Sequence, residues 1–528
     1  MRRRWSRAVL SLVLAVGLAA CSAAGSTPPE PDPESSLPVT TTAPDASQAT
    51  PTEAPVGRPV QPVPVRDFDQ PPPGPDGLAR YRQQKVDWKG CAPGVQCADL
   101  RAPLDYAEPD AAAITLALAR RPHSGASQGA LFVNPGGPGG SGTDMVTWFE
   151  VPNLYRFDIV SWDVRGSGKS TAANCYGKND LARLTTIDAS PDTAAEDLAL
   201  AAEMRRFGAS CLAESGDLLN HVSTAETVRD LDLIRGVLGY RQISYLGYSY
   251  GTLIGSLYAD RYPQRVARMV LDGAVSLDPN EPVDQTAGFE RAFDHFASWC
   301  AERSCALGQD RREVTSTVQR LLLGLDEKPI PGRGKRVLTQ QEAVSAVFSS
   351  LYGNGPEDTW PDLLRALNEA RNGDGARLQK EADRSNFRRD DGSYGSFLYA
   401  FPAIRCLDSE VVSVAAARTE FEEALAQAPI LAALSGPDYT CAEWPVPPAP
   451  DRPRITAKGA PPIVVIGSTG DPATPYEWAQ RMAKQLDRGI LVTRRGEGHT
   501  GFGNSKCINA IVVRYLLQGT PPKAETVC

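Results

Sequence analysis

Metal-site spacing is absent from this sequence: no two cysteines stand in the Cys-x-x-Cys spacing of common zinc centres, and His123, His221 and His295 are scattered. A zinc centre of the familiar kinds is therefore not expected. An excess of positive charge is missing as well. The net charge is −8 and the pI lies near 5.3, and no basic stripe runs along the chain, which argues against nucleic acid as a partner. The N-terminal apolar run, Ala8 to Ala20 behind Arg2, Arg3 and Arg4, is too short to span a bilayer as a helix and reads as a signal peptide. Large apolar side chains are scarce from residue 22 to about 75, where Pro, Ser, Thr, Ala and acidic residues crowd together. Such a segment cannot bury enough surface to offset the entropy of ordering, so it reads as a flexible tether.

The apolar run closes on Leu18-Ala-Ala-Cys21, a small-residue pair before cysteine that resembles the lipobox of bacterial lipoproteins, with Cys21 as the acylated residue. The expected protein is exported and held at the cell membrane by that lipid alone, the alternative being an ordinary secretory cleavage site with an incidental cysteine and release of the protein. Ten further cysteines remain: Cys91, Cys97, Cys175, Cys211, Cys300, Cys305, Cys406, Cys441, Cys507 and Cys528. They can pair as five disulfides in an oxidising compartment, and separation along the chain favours Cys175–Cys211, Cys406–Cys441 and Cys507–Cys528.

Roughly 450 residues follow the tether, more than one hydrophobic core usually organises. Short β-rich runs alternate with helical patterns from about residue 113: Ile114 to Leu118, Ala130 to Val133, Phe157 to Trp162, Ile243 to Leu246, Val266 to Leu271, Ile463 to Ile466 and Ile490 to Thr493. This alternation predicts an α/β fold with a mostly parallel, doubly wound sheet. Ser223-Thr-Ala-Glu226 has the pattern of a capping box ahead of Val228, Leu231, Ile234 and Val237, with Gly239 as a stop. Strand signals cease between about 280 and 455, where Asp284 to Ala301, Gln340 to Leu351, Trp360 to Asn372 and Val411 to Ala428 read as helices. The expected division is a signal peptide at 1–21, a tether at 22–75, a first core part at 76–280, an inserted helical cap at 281–455 and a second core part at 456–528.

Gly247-Tyr-Ser249-Tyr-Gly251 joins the strand Ile243 to Leu246 to the helical stretch Thr252 to Tyr262, which is the strand, sharp turn, helix setting of a nucleophile elbow. A serine needs a general base, and the base needs an acid to hold its tautomer; in this setting they follow in the order Ser, acid, His. His499, in Gly496-Glu-Gly-His-Thr-Gly501 after the strand Ile490 to Thr493, is the expected base. His295 lies on a helical pattern with Phe289, Phe293 and Phe296 and reads as a core or cap histidine. Asp471, in the loop after Ile463 to Ile466, is the expected acid. Asp272, at the end of Val266 to Leu271, is its rival, and Glu497 is too near His499 in sequence to be preferred. The Tyr250 N–H is one expected oxyanion donor. The other comes from the glycine-rich loop Asn134-Pro-Gly-Gly-Pro-Gly-Gly-Ser-Gly142, with Gly137 favoured and Gly136 beside it.

Two nucleotide-like patterns carry less weight. Gly137-x-Gly139-x-x-Gly142 formally matches a dinucleotide fingerprint with Asp158 or Asp163 as the ribose acid, yet Pro138 interrupts the turn and the elbow lies downstream. Gly168-Lys169-Ser170 lacks the first glycine of a P-loop, because Asp163 stands there. No nucleotide and no cofactor are expected.

Cys97-Ala-Asp-Leu-Arg-Ala-Pro-Leu-Asp-Tyr106, the loop Asn134 to Gly142, Asp163-Val-Arg-Gly-Ser-Gly168, Gly247 to Thr252 and Gly470-Asp-Pro-Ala-Thr-Pro475 together resemble the actinobacterial tripeptidyl aminopeptidases. These belong with the prolyl-iminopeptidase-like α/β-hydrolases, and the resemblance runs over roughly residues 90 to 528. It implies the α/β-hydrolase fold, the triad Ser249, Asp471 and His499, and exopeptidase activity on free N-termini. Prolyl-iminopeptidase relatives usually carry His before Gly-Gly-Pro-Gly; Pro135 stands there in this chain, so a preference for N-terminal proline is not implied. A carboxylesterase or lipase, or an endopeptidase, with the same triad is the alternative, and a noncatalytic surface protein the remote one. The substrate is then a peptide or a small ester. An exopeptidase must hold a substrate ammonium near Ser249, and the acidic start of the cap, with Glu281, Asp284 and Glu290, is the expected region.

Overall fold

The structure, a computed structural model, describes residues 66–149, 153–278, 281, 283–410, 413–449 and 454–528. The signal peptide, Cys21 and the tether up to residue 65 lie outside the described residues.

Ten strands form one sheet. β1 (Lys89–Ala92) pairs antiparallel with β2 (Val95–Pro103), and β2 with β3 (Ala113–Arg121). β3 lies antiparallel to β5 (Asp158–Trp162). Every later pairing is parallel: β5 with β4 (Ala130–Asn134), β4 with β6 (Ile243–Tyr248), β6 with β7 (Val266–Asp272), β7 with β10 (Ile463–Gly470), β10 with β11 (Gly489–Glu497), and β11 with β12 (Thr526–Val527). All residues of β4, β5 and β6 are buried, as parallel strands covered on both faces require. The sheet thus begins earlier than residue 113. β1 is exposed and β2 only partly buried, so neither carries the apolar run by which an interior strand announces itself.

Helices α1 (Leu78–Arg82), α2 (Gly142–Trp148), α3 (Lys178–Leu184), α4 (Ala194–Ser215), α5 (Thr224–Val237) and α6 (Gly251–Arg261) fall before β7. Val146 of α2 packs in one layer with Leu131, Val133, Leu246 and Ile466. Leu231 and Ile234 of α5 and Ile254 of α6 pack in the other, with Phe132 and Tyr245. Leu131 and Phe132 go to opposite layers because successive strand residues point to opposite faces. Ser223 caps α5 by accepting the Glu226 N–H at 3.4 Å. The reciprocal half of the capping box does not form: the Glu226 carboxylate turns to Arg229 at 2.8 Å and Arg165 at 3.5 Å.

Between β7 and β10 the chain builds α7 (Gln285–Ala301), α8 (Arg311–Glu327), a two-stranded hairpin of β8 (Ile330–Pro331) and β9 (Val337–Leu338), then α9 (Gln340–Leu351), α10 (Trp360–Arg371), α11 (Ala376–Ser385), α12 (Phe397–Leu407), α13 (Val414–Gln427) and α14 (Leu431–Ser435). The hairpin departs from the all-helical expectation; strands of two residues are too short to show an alternation. Most of these helices share an apolar centre containing Phe289, Phe293, Phe296, Val347 and Leu367. α12 instead joins the sheet-side layer through Ala403 and Ile404, together with Tyr439 and Trp444. α15 (Tyr476–Gln485) and α16 (Lys506–Gln518) complete the second core part. Five disulfides are formed, Cys91–Cys97, Cys175–Cys211, Cys300–Cys305, Cys406–Cys441 and Cys507–Cys528. No described helix is long and apolar enough to cross a membrane.

Candidate active site

Ser249 stands between the last residue of β6 and the first turn of α6, with φ +53°. A left-handed backbone at a non-glycine residue is strained and persists only where its surroundings hold it. Here the Ser249 N–H donates to the Asp272 carbonyl at 2.9 Å, and the Thr252 hydroxyl donates to the Ser249 carbonyl at 2.7 Å. The side chain is half-buried.

Asp471 follows β10, and its carboxylate reaches His499 Nδ1 at 2.9 and 3.0 Å. Both residues are buried. Asp471 accepts three further hydrogen bonds from the backbone: Ala473 and Thr474 donate N–H groups to Oδ1 at 3.0 and 2.9 Å, and Thr500 donates its N–H to Oδ2 at 3.3 Å. With Nδ1 facing a carboxylate, the tautomer with a bare Nε2 is favoured. His499 Nε2 is buried and hydrogen-bonds nothing among the described residues, Ser249 included. A nucleophile–base bond that closes only around substrate is common in unliganded sites. His499 Cε1 nonetheless lies beside Gly273, one residue after the Asp272 carbonyl that anchors Ser249.

The glycine-rich loop between β4 and α2 leans on the elbow. A Cβ at Gly136, where φ is +89°, would meet Ser249 Cβ at 3.0 Å and the Tyr250 N at 3.2 Å, so only glycine allows this approach. The Gly136 N–H is occupied by Asn134 Oδ1 at 2.9 Å. The Gly137 N–H donates to no group among the described residues. Gly136 therefore shapes the loop, and of the two N–H groups that of Gly137 is the one left unengaged among the described residues.

A family model described as TAP-like protein matches residues 431–528. The chain is 35% identical over 493 residues to serine protease Hip1 of Mycobacterium tuberculosis, an alignment covering 86% of this chain and 93% of that one. It is 30% identical over 481 residues to the tripeptidyl aminopeptidase of Streptomyces lividans, with coverage of 85% and 88%. The chain belongs to the tripeptidyl aminopeptidase-like family of α/β-hydrolases. A further relative, 34% identical over 461 residues and covering 82% of this chain and 86% of its own, is carboxylesterase B of Mycobacterium tuberculosis. The chain is accordingly a serine hydrolase.

The other residues weighed from sequence have different surroundings in this TAP-like hydrolase. Asp272 is fully buried and accepts the N–H groups of Gly501 at 2.9 Å and Phe502 at 2.6 Å. Burial pushes its carboxyl up to about 6, although those N–H groups pull the other way. It holds the loop after His499 and does not touch the imidazole nitrogen. His295 is a half-exposed residue of α7 rather than a core one, and its Nδ1 pairs with Glu497 Oε1 at 3.0 Å. Glu497 holds the His295 pKa above its usual value. Asp163 is buried and accepts Thr143 N–H at 2.9 Å and Lys169 N–H at 2.8 Å, so it braces the glycine loop. Asp158 binds the Tyr240 hydroxyl and His123.

The acidic start of the cap is committed to structure. Glu281 is buried against Arg481, at 2.9 Å from Nε. Asp284 caps α7 by accepting the Thr286 N–H at 2.6 Å. Glu290 accepts the Ile430 and Leu431 N–H groups at 3.3 and 2.8 Å, at the start of α14. Two participants were not picked out from sequence. The Thr474 hydroxyl lies 3.0 Å from Asp471 Oδ2 and 3.3 Å from His499 Nδ1; a threonine three residues after a loop aspartate was its only local signal. Tyr352, at the end of α9, accepts the His499 N–H on its carbonyl at 3.0 Å, and nothing near it in sequence points there.

Proposed function

We propose that this hydrolase is an exported, membrane-anchored exopeptidase that removes short peptides from free N-termini through Ser249, His499 and Asp471. The observation that carries the reading is the buried Asp471–His499 pair, with Nε2 unengaged among the described residues and the elbow serine held in a left-handed backbone. Ser249 Oγ attacks the scissile carbonyl while His499 Nε2 takes its proton. Asp471 stabilises the imidazolium, and the N–H groups of Tyr250 and Gly137 receive the developing oxyanion. His499 then protonates the leaving amine, and water releases the peptide from the acyl-enzyme by the same steps in reverse. The relatives named as a serine protease and a tripeptidyl aminopeptidase support the peptide substrate, and inserted helices that touch both the glycine loop, through Phe397, and the histidine, through Tyr352, support cleavage near a terminus. The relative named carboxylesterase B favours a second reading, ester hydrolysis.

The decisive comparison uses free-amine tripeptide anilides, their N-acetyl copies and short-chain esters on one preparation. For the exopeptidase, acetylation is expected to lower kcat/KM by at least roughly a hundredfold, because a desolvated ion pair loses one partner. Equal rates on both anilides, or turnover of esters alone, would turn the assignment to endopeptidase or esterase. Ser249→Ala should abolish fluorophosphonate labelling and lower kcat by roughly a thousandfold or more; a variant that still labels refutes the nucleophile. Five disulfides support an oxidising compartment. Cys21→Ala should move the protein from the membrane fraction to the medium, and unchanged membrane retention would count against the anchor.

A further inference from the structure

The loop that carries the candidate base is clasped by the cap. Tyr352 ends α9, and its carbonyl accepts the His499 N–H at 3.0 Å. Its ring stands edge-on to the imidazole, with centroids 5.4 Å apart and planes at 86°. On its other side that ring packs on Phe289 of α7 at 5.3 Å. The next residues continue the contact. A Cβ at Gly498, where φ is +95°, would overlap the Gly353 carbonyl, and one at Gly355 would come within 2.7 Å of Glu497 Cβ. The cap and the histidine loop therefore touch backbone to backbone at Gly353 and Gly498, and Gly355 packs directly on the Glu497 side chain.

A buried arginine joins the two from beneath. Arg494, on β11, donates Nη1 to the carbonyls on either side of His499, Gly498 at 3.3 Å and Thr500 at 3.0 Å. Its Nη2 donates to Asn354 Oδ1 at 2.9 Å. Asn354 Nδ2 in turn donates to Asn504 Oδ1 at 3.2 Å. The loop needs such support because Gly496, Gly498 and Thr500 all have positive φ, the last without the freedom of glycine. Its imidazole must also stay aimed to within a fraction of an ångström for proton transfer.

We propose that the cap segment Tyr352–Gly355, through Asn354 and Arg494, is a positioning strap for His499, so that the cap sets the geometry of the base in addition to shaping the cleft. The proposal rests on the triad reading above and deepens it. Tyr352 and Asn354 act through His499 and are positioning residues. A cap that served specificity alone would influence only substrates large enough to reach it. A strap on the base influences every acyl transfer, including that of a small probe.

The test measures fluorophosphonate labelling rates, together with kcat and KM on a short-chain nitrophenyl ester, for the full protein and its variants. Asn354→Ala and Tyr352→Ala are each expected to slow labelling and to lower kcat about tenfold or more, with KM within about twofold. Asn354→Asp keeps an oxygen for Arg494 and should restore most of the loss. Tyr352→Phe keeps both ring and carbonyl and should match the parent. Wild-type rates in both alanine variants would overturn the strap, as would losses confined to KM, or a loss that Asn354→Asp fails to restore. Ser249→Ala is run alongside: if it still labels, the triad reading fails and the strap falls with it; if it does not, a wild-type result in the alanine variants counts against the strap alone.

Discussion

Two carboxylates at neighbouring strand ends show how much a residue's role depends on which atoms it meets. Asp471 faces His499 Nδ1 and Asp272 faces the N–H groups of Gly501 and Phe502. We expect Asp471→Asn to lower kcat by roughly a thousandfold or more, as loss of the tautomer-fixing acid does elsewhere. Asp272→Asn should lower the melting midpoint and cost less than about tenfold in kcat. Steady-state kinetics on both variants checks this, and equal losses would count against Asp471 as the acid. Glu420, on α13, offers a pH test. Burial pushes its carboxyl up to about 8, with Asp438 and Asp284 acting in the same direction and Arg405 opposing them. The folded chain then holds a proton that the unfolded chain releases near 4.5, so stability falls as pH rises from about 4.5 to about 8. Glu420→Gln should raise the melting midpoint at pH 8 to 9 and change it little at pH 5. A uniform shift across that range would contradict the assignment. The surroundings of Asp272 and of Glu420 were not legible in the sequence, because each is set by groups far away along the chain.

Elements were more legible, since caps and turns are local. Ser223 caps α5 and Asp284 caps α7, and both stand where short polar residues precede apolar periodicity. The return bond from Glu226 is missing because the carboxylate is hydrogen-bonded to Arg229 at 2.8 Å instead. The hairpin β1–β2 escaped notice for the opposite reason, as an edge element with little buried surface. The Cys507–Cys528 bridge fastens α16 to the strip β12 beside β11. Cross-linking a loop of this length contributes about 3 kcal/mol by restricting the unfolded chain. Replacing both cysteines with serine should lower the denaturant midpoint accordingly while kcat stays within about twofold, because neither cysteine touches Ser249, Asp471 or His499. A large loss of kcat in a still-folded variant would show that the chain end supports the site directly.

At the scale of the molecule, the cap divides between two apolar centres. α8, α10 and α11 pack in a layer of their own around Leu322, Leu367 and Leu378, whereas α12 shares the core of the sheet. α12 also meets the glycine-rich loop, where Phe397 Cε2 lies 3.0 Å from a Cβ built on Gly137. Native-state hydrogen exchange should therefore protect α12 as strongly as β6 and leave α8, α10 and α11 less protected, since local stability follows the core that each element shares. Equal protection throughout the cap would dissolve the division.

The sequence by itself determined what a few adjacent residues can do. A serine between close glycines at a strand-to-helix turn, a glycine-rich loop after a strand, and the order Ser, Asp, His along the chain are local geometry and order, so they can be read without coordinates. Only the tertiary structure decided which carboxylate reaches His499, that Asn134 occupies the Gly136 N–H and leaves that of Gly137, and that Glu281, Asp284 and Glu290 are held by other groups. It alone brought Asn354 and Arg494 together across 140 residues. Hydrogen bonds specify their partners by distance and angle in space. Separation along the chain carries no record of either until the sheet and its cap have packed.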